Sequence, residues 1–122
     1  MRRFYAAWSE NDVDGVLAVC HPDIDFRPIL GVLYEQEGFH GHEGMTAHVR
    51  HLHARWDDFR ADVELTREIG DGVVVFVCLT STRDGISYDA RIAVEVGFRD
   101  GLIGSFVGRD IWETAEEFGI SL

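Results

Sequence analysis

One carboxylate in the sequence is placed where it could act as a base. Residues 102–112 alternate in hydrophobic character, as the residues of a half-buried strand do. The alternation assigns four residues to one strand face: Phe106, Gly108, Asp110 and Trp112. A carboxylate among apolar neighbours is poorly solvated, which raises its pKa and makes it a stronger base at neutral pH. Asp110 is therefore the first candidate for a catalytic residue.

Asp110 also admits a structural interpretation. An aspartate near the end of a strand can cap the helix that is predicted to follow it at residues 112–118. It can equally pair with a nearby arginine, such as Arg109 or Arg91. The sequence leaves both interpretations open.

His48 is the second candidate for a catalytic role. Residues 41–56 are predicted to form the main helix, because apolar residues recur there at spacings of three and four. The stripe consists of Met45, His48, Val49, Leu52 and Trp56. A neutral histidine on this stripe could shuttle protons or hydrogen-bond a ligand carbonyl. The alternative is a core histidine that has only a packing role.

The other histidines do not predict a metal site. Five of the six histidines lie between His40 and His53, but only His48 and His51 have a spacing that places two ligands on one helix side. No cysteine and no HExxH-like element completes a site. We therefore expect no metal and no cofactor, and we expect His42, His51 and His53 to be solvated.

Composition restricts the class of protein and of partner. A chain of 122 residues with 46% hydrophobic residues is the size of one domain, which we assign to residues 1–122. The net charge is −11 and all 11 basic residues are arginines, so nucleic acid and anionic membranes are disfavoured as partners. The longest apolar run, residues 73–79, is too short to cross a bilayer, and no signal-peptide core follows the first residues. We expect a cytoplasmic protein.

The first half of the chain is predicted to hold three helices. The first carries Phe4, Ala7 and Trp8 on one face. Asp12 is expected to cap a second helix, which extends to Cys20 and is stopped by Pro22. A strand at residues 24–27 and a shorter one around Leu33 and Tyr34 precede the main helix. Trp8, Trp56 and Phe59 are aromatic residues that either pack in the core or contact a ligand.

The second half is predicted to be an antiparallel meander. The dipeptides at 71–72, 84–85 and 100–101 are all Asp-Gly, a sequence typical of tight hairpin turns, and alternating residues lie between them. Residues 73–82 are apolar on both strand faces, so both faces must be covered. We expect the outer face, with Phe76 and Cys78, to be buried in a homodimer.

Several local strings resemble proteins of the SnoaL-like branch of the NTF2-like superfamily. They are residues 5–8 with 11–17, residues 21–26, residues 41–44, residues 100–103, and Arg109-Asp110. Their order covers essentially the whole chain. The resemblance implies an α+β cone, in which three N-terminal helices pack on a curved, mainly antiparallel sheet that encloses a pocket.

The resemblance also implies which residues line that pocket. Asp110 resembles the base of the polyketide cyclases, and His48 matches a pocket-lining aromatic residue of the isomerases, so these two are the candidate catalytic residues. The candidate ligand-binding residues are Trp8, Trp56, Val63, Val77, Leu79, Val94, Phe106 and Gly108. Other inward residues would be Leu65, Val75, Ile92 and Val96. Tyr5 and Tyr34 could supply a hydroxyl at the pocket mouth.

The enzymes of the superfamily differ in the catalytic residues that they require, and these can be sought in this sequence. The donor tyrosine, the base and the donor aspartate of ketosteroid isomerases fall on Phe4, Pro28 and Val94, which argues against steroid isomerisation by that mechanism. Limonene-epoxide hydrolases need an arginine and a second aspartate where residues 77–81 have neither, unless Arg91 replaces the arginine. Polyketide cyclases rely mainly on one aspartate, which Asp110 resembles.

Three functions remain open. The first is a cofactor-independent cyclase, isomerase or hydrolase that acts on an apolar or polyketide-like metabolite with Asp110 as its base. The second is a non-catalytic, dimeric binder of an apolar or aromatic metabolite. The third is an interaction module that uses the outer face of the sheet.

Overall fold

The computed structural model describes residues 1–27 and 39–121. The strand predicted around Leu33 and Tyr34, and Pro28, lie outside the described residues. The first helix, α1 (Arg2–Ser9), buries Phe4, Tyr5, Ala7 and Trp8, as the spacing predicts. No helix of the described part is long and apolar enough to span a membrane.

The second helix is shorter than the sequence suggests. Asp12 caps α2 (Val13–Ala18) as predicted, because its side chain accepts a hydrogen bond of 3.0 Å from the backbone N–H of Gly15. Strand β1 (Cys20–Arg27) begins two residues after the helix ends, so Cys20 and Pro22 lie in a strand. The prediction that Pro22 stops the helix was therefore wrong. Proline fits this strand because the pairing of β1 with its neighbour is interrupted between Cys20 and Asp25.

The remaining elements follow in the predicted order. They are β2 (Phe39–His40), α3 (Gly41–Arg55), β3 (Asp58–Ile69), β4 (Gly72–Arg83), β5 (Ile86–Arg99), β6 (Leu102–Arg109) and α4 (Ile111–Phe118). The strands form one sheet in the order β2-β1-β6-β5-β4-β3. Only the β1–β6 pair is parallel among the described pairs, so the sheet is mainly antiparallel.

Tight turns join the long strands. Asp84-Gly85 and Asp100-Gly101 have positive φ at both residues, which is the geometry that Asp-Gly favours in two-residue hairpins. The first turn lies one residue earlier than predicted, at Gly70-Asp71, and Gly72 already pairs with Ile69. Gly72 is required in the strand because a Cβ there would collide with the carbonyl oxygen of Val96.

The sheet has two faces with separate cores. The inner face packs against α1, α2 and α3, and its buried residues include Val75, Val77, Val94 and Phe106. The outer face is covered by α4, which buries Val74, Phe76 and Ala93 against Ala115. Phe76 is thus covered by its own chain, and the reason for expecting a dimer at Phe76 was wrong.

Irregular pairing curves the sheet. The register shifts in β3 between Val63 and Leu65, and between β5 and β6 at Gly97 and Phe98. Such bulges bend a strand and increase its twist. The shift in β3 also turns Leu65 to the outer face, where it packs on the outer core. The prediction that Leu65 points inward was wrong for that reason.

Candidate ligand-binding site

The inner faces of β3 to β6 form one wall of the candidate site. The strand register aligns Val63 with Val77, and Val94 with both Val75 and Gly108. Leu79 and Phe106 lie on the same face. The sheet residues that were predicted to bind a ligand therefore lie on one surface, although their role in binding stays a prediction. Gly108 adds no side chain to this wall and is half-buried beside Val94.

Aromatic rings from the helices, β1 and β3 pack directly on this wall, and the ring of Phe26 lies 4.6 Å from that of Phe106 between centroids. The imidazole of His48 lies 4.3 Å from the ring of Phe26 and 5.9 Å from the ring of Trp8, measured between ring centroids. Trp8 meets Phe59 edge to face at 4.8 Å, and Phe59 lies 6.3 Å from Trp56. The helical residues Trp8, His48 and Trp56 that were predicted for the site thus belong to one aromatic cluster.

His48 is neutral in this environment. Its side chain is fully buried, because it lies on the face of α3 that packs against the sheet. Burial, with a smaller effect from the charge of His51, lowers the pKa of His48 to about 3. A neutral imidazole can donate or accept one hydrogen bond at each ring nitrogen according to its tautomer, but it is a weak base at pH 7.

Three buried hydrogen-bond donors lie within the same cluster. Tyr5 Oη, Trp8 Nε1 and Trp56 Nε1 are inaccessible to solvent and have no hydrogen-bond partner in the described part of the chain. Burial raises the pKa of Tyr5, so its hydroxyl keeps the proton. Each buried polar group that remains unsatisfied costs about 1–3 kcal/mol. These donors are therefore the candidates for hydrogen bonds to the acceptor atoms of a ligand.

A cleft opens beside this cluster at the end of the sheet. Its volume is about 200 Å³, and it is lined by Trp56, Phe59, Leu79, Ser81, Tyr88, Asp89 and Ala90. The ring of Tyr88 packs 5.4 Å from Trp56 and is 47% exposed, so it lies at the edge of the cleft. Sequence reasoning missed Tyr88 and Ser81. The alternation that continues from Leu79 and Ala90 could have indicated both.

Asp110 lies outside this arrangement. Strand β6 ends at Arg109, and Asp110 is the exposed N-cap of α4. Its Oδ1 accepts a hydrogen bond of 2.8 Å from the backbone N–H of Glu113, and its carbonyl accepts one of 2.6 Å from the hydroxyl of Thr114. The prediction that Asp110 shares the buried strand face was wrong, because the chain turns into α4 after Arg109. The geometry matches the structural interpretation of this residue.

Arg91 points away from the inner face. It pairs in register with Cys78, which alternates with the inward residues Val77 and Leu79. Its Nε lies 3.3 Å from a carboxylate oxygen of Glu64 on the outer surface. Arg91 therefore does not replace the inward arginine of the epoxide hydrolases.

Two histidines of α3 hold the helix in position. His42 Nε2 donates to the carbonyl of Cys20 at 2.8 Å, and His53 Nε2 donates to the carbonyl of Trp8 at 2.6 Å. Both are half-buried, so the expectation that they are solvated was wrong, whereas His51 is exposed. In residues 1–27 and 39–121, no three His, Cys, Asp or Glu side chains are grouped so that they could hold a metal ion.

Comparison with known families identifies the domain. Residues 1–106 match the model of the SnoaL-like domain, which is most of the chain. The chain belongs to the SnoaL-like domain family. No curated protein matches the sequence.

Solved structures agree with this SnoaL-like assignment. An NTF2-like protein of unknown function from Burkholderia pseudomallei is 25% identical, with a TM-score of 0.78 over 94% of this chain and 91% of the other. TerC, crystallised with polyporic acid, is 24% identical, with a TM-score of 0.77 over 94% and 91%. A Δ5-3-ketosteroid isomerase from Mycobacterium sp. is 18% identical, with a TM-score of 0.74 over 91% and 89%. The predicted fold class, an α+β NTF2-like cone, is confirmed.

Proposed function

We propose that this SnoaL-like domain binds a flat, apolar or aromatic metabolite that carries hydrogen-bond acceptors, on the inner face of the sheet. The observation that carries the proposal is the set of three buried donors, Tyr5 Oη, Trp8 Nε1 and Trp56 Nε1, inside an aromatic cluster. Indole N–H groups can only donate, so they select carbonyl or ether oxygens. The aromatic rings and aliphatic strand residues beside these donors favour a planar body.

Binding is better supported than catalysis. Among the described residues no carboxylate is buried, and the only buried titratable imidazole, that of His48, has a lowered pKa. A protein that recognises a metabolite needs shape and donors, which this face has, whereas proton abstraction needs a base. TerC, a protein with the same fold, was crystallised with polyporic acid, and this agrees with a small organic ligand.

The experiment compares 9-fluorenone with fluorene, which have the same shape and differ by one carbonyl. Titration followed by tryptophan fluorescence should show fluorenone binding about tenfold more tightly, since a hydrogen bond to a buried donor contributes about 1–1.5 kcal/mol. In Tyr5→Phe or Trp8→Phe that preference should fall towards one. Trp112→Phe is the matched control, because Trp112 is 70% exposed on α4.

The free energy of unfolding of Tyr5→Phe distinguishes a role of the hydroxyl in binding from a role in folding. Tyr5→Phe removes a hydroxyl without a described partner, so the free energy of unfolding should stay the same or rise by up to about 1 kcal/mol. Equal affinities for fluorenone and fluorene in the wild type would refute the acceptor requirement. A destabilised Tyr5→Phe would show that the hydroxyl has a structural role.

The catalytic alternative keeps Asp110 as base and His48 as proton shuttle. It is favoured by the position of Asp110 two residues beyond the inward Gly108, at the end of β6. A substrate that reached over the edge of the sheet could contact the exposed carboxylate. Turnover of a bound metabolite by the pure protein, lost in Asp110→Asn, would establish this function in place of simple binding.

A homodimer through the outer side of the sheet also belongs to the proposal. Trp112 of α4 is 70% exposed, more than any other large apolar residue among those described, and Val107 is 37% exposed on the outer face of β6. Large apolar side chains in water favour association. Sedimentation should give a dimer for the wild type and a monomer for Trp112→Ser. A monomeric wild type would contradict the proposed dimer.

A further inference from the structure

A second cavity lies at the other end of the sheet. It has a volume of about 530 Å³ and lies between the first turn of α1 and the turn regions of the β3–β4 and β5–β6 hairpins. Its walls are mainly apolar and include Phe4, Val73, Phe98 and Ile103. Phe98 is 48% exposed there, although it is a large apolar side chain. We call this cavity the α1 groove.

The α1 groove is separate from the inner-face site. Val73 lines the groove and Leu79 lines the cleft near Trp56, and six residues of β4 span roughly 20 Å at 3.3 Å per residue. Phe4 lies between them and is buried against Tyr5 and Phe106, at centroid distances of 5.0 and 5.3 Å. A molecule in the groove therefore does not contact the aromatic cluster around His48.

Positive charge is concentrated at the rim of the groove. Arg2 and Arg3 both line it and are exposed, and neither has a carboxylate within 4.0 Å in the described ranges. They also lie in the first turn of α1, where the helix dipole is positive. Because the chain as a whole carries a net charge of −11, an anion is repelled by most of the surface and attracted here.

We propose that the α1 groove binds an amphiphile with a carboxylate head and a hydrocarbon tail. The guanidinium groups of Arg2 and Arg3 bind the carboxylate by charge-assisted hydrogen bonds. The tail covers Phe98, Val73 and Ile103 and removes the exposed ring of Phe98 from water. This site is independent of the metabolite site on the inner face.

The test uses decanoate and 1-decanol, which share a tail and differ in the charge of the head. Amide NMR shifts of Phe98, Gly101 and Ile103 should report decanoate binding at least tenfold tighter than 1-decanol. The double variant Arg2→Gln/Arg3→Gln should lower the decanoate affinity to the level of 1-decanol. The double variant Arg50→Gln/Arg60→Gln removes two exposed arginines that do not line the groove, so it should leave the affinity unchanged.

A second pair of variants tests the groove without removing an arginine. Thr66 lines the groove and is exposed, so a longer side chain fits there without disturbing the core. Thr66→Glu adds a negative charge and should weaken decanoate binding at least tenfold. The glutamine side chain in Thr66→Gln has the size of glutamate but no charge, so this variant should bind decanoate as the wild type does.

Three results would overturn the proposal. They are equal affinities for decanoate and 1-decanol, shifts that map to Val94 and Gly108 instead of the groove, and loss of an oligomer in Arg2→Gln/Arg3→Gln, which would identify the groove as an interface between copies. Fluorenone binding should be unaffected by the groove variants. Failure of this site is thus distinguishable from failure of the inner-face site.

Discussion

The two faces of the sheet differ in what their buried residues leave unsatisfied. On the outer face, Val74, Phe76 and Ala93 pack against Ala115 of α4, and the buried hydroxyl of Thr114 in the same helix donates to the carbonyl of Asp110. On the inner face, the buried cluster contains the imidazole of His48. It also contains three donors, Tyr5 Oη, Trp8 Nε1 and Trp56 Nε1, that have no hydrogen-bond partner among the described residues. Each face is covered by helices, but within residues 1–27 and 39–121 only the inner face has buried hydroxyl or indole donors without a hydrogen-bond partner.

The two faces of the sheet differ in their contribution to stability. A core in which the buried polar group is paired loses no stability to unsatisfied donors, whereas buried donors without partners reduce stability by about 1–3 kcal/mol each. Under the proposed function, the outer face therefore supplies stability and the inner face supplies recognition. Asp110 belongs to the outer face, since it caps the helix that covers it.

The largest expected effect is a loss of stability without a loss of ligand binding, in the variant Phe76→Ala. Phe76→Ala removes a buried ring from the outer core, and should lower the free energy of unfolding by about 3–5 kcal/mol. The affinity for fluorenone should not change in the molecules that remain folded, because Phe76 points away from the inner face. Urea unfolding and fluorescence titration measure the two quantities. Phe76→Leu serves if the alanine variant does not fold.

Loss of fluorenone binding in folded Phe76→Leu would contradict the division between the faces. It would mean that the outer core sets the geometry of the inner one.

Protonation of His48 should destabilise the folded protein at acidic pH. The native state keeps His48 neutral down to a pKa of about 3, whereas the unfolded chain binds a proton near pH 6.5. Between these values the unfolded state binds more protons, so the free energy of unfolding falls as the pH falls. Between pH 7.5 and 5 the contribution of His48 should be a loss of about 2 kcal/mol.

The control for this prediction is His48→Phe, which fills a similar volume and does not titrate. Urea unfolding at several pH values should show a flatter pH dependence in His48→Phe than in the wild type over this range. Parallel curves for the two proteins would show that His48 is accessible to protons in the native state.

Asp110 should have a moderate effect that distinguishes a cap from a base. Asp110→Ala should lower the free energy of unfolding by about 1 kcal/mol, because the bond to the N–H of Glu113 is lost. Asp110→Ser and Asp110→Asn retain capping oxygens and should be nearly neutral. If Ser and Asn instead abolish an activity while stability is unchanged, Asp110 is a base and the inner face extends to the edge of α4.

Much of the fold was accessible to sequence reasoning because its signals are local. The Asp-Gly pairs at 84–85 and 100–101 need positive φ at both residues, and they specify hairpins without reference to the rest of the chain. The bulge near Val63 has no comparable signal, so the direction of Leu65 was predicted wrongly. The docking of α4 was not predicted either, and the burial of Phe76 was therefore attributed to a second chain.

The site was predictable where strand alternation is uninterrupted. The family resemblance implied that Val77 and Val94 lie on the inner face, and strand alternation grouped Gly108 with Phe106, as the structure does. Alternation failed at Asp110 because β6 ends at Arg109, one residue before the aspartate. An aspartate followed by a glutamate three residues later is a pattern typical of a helix start, and it was present at Asp110 and Glu113. The buried donors could not be predicted, since the position of Tyr5 Oη or Trp8 Nε1 depends on the packed rings around it.

The smallest expected effect is at Arg91, and it tests the assignment of the faces most directly. Arg91→Gln removes an exposed ion pair with Glu64, which contributes no more than about 0.5 kcal/mol to the free energy of unfolding because solvent screens it. Fluorenone affinity should be unchanged, since Arg91 lies on the outer face in register with Cys78. Urea unfolding and fluorescence titration of Arg91→Gln check both values. A severalfold change in fluorenone affinity would place the guanidinium on the inner face, and the register of β4 with β5 would then differ in solution.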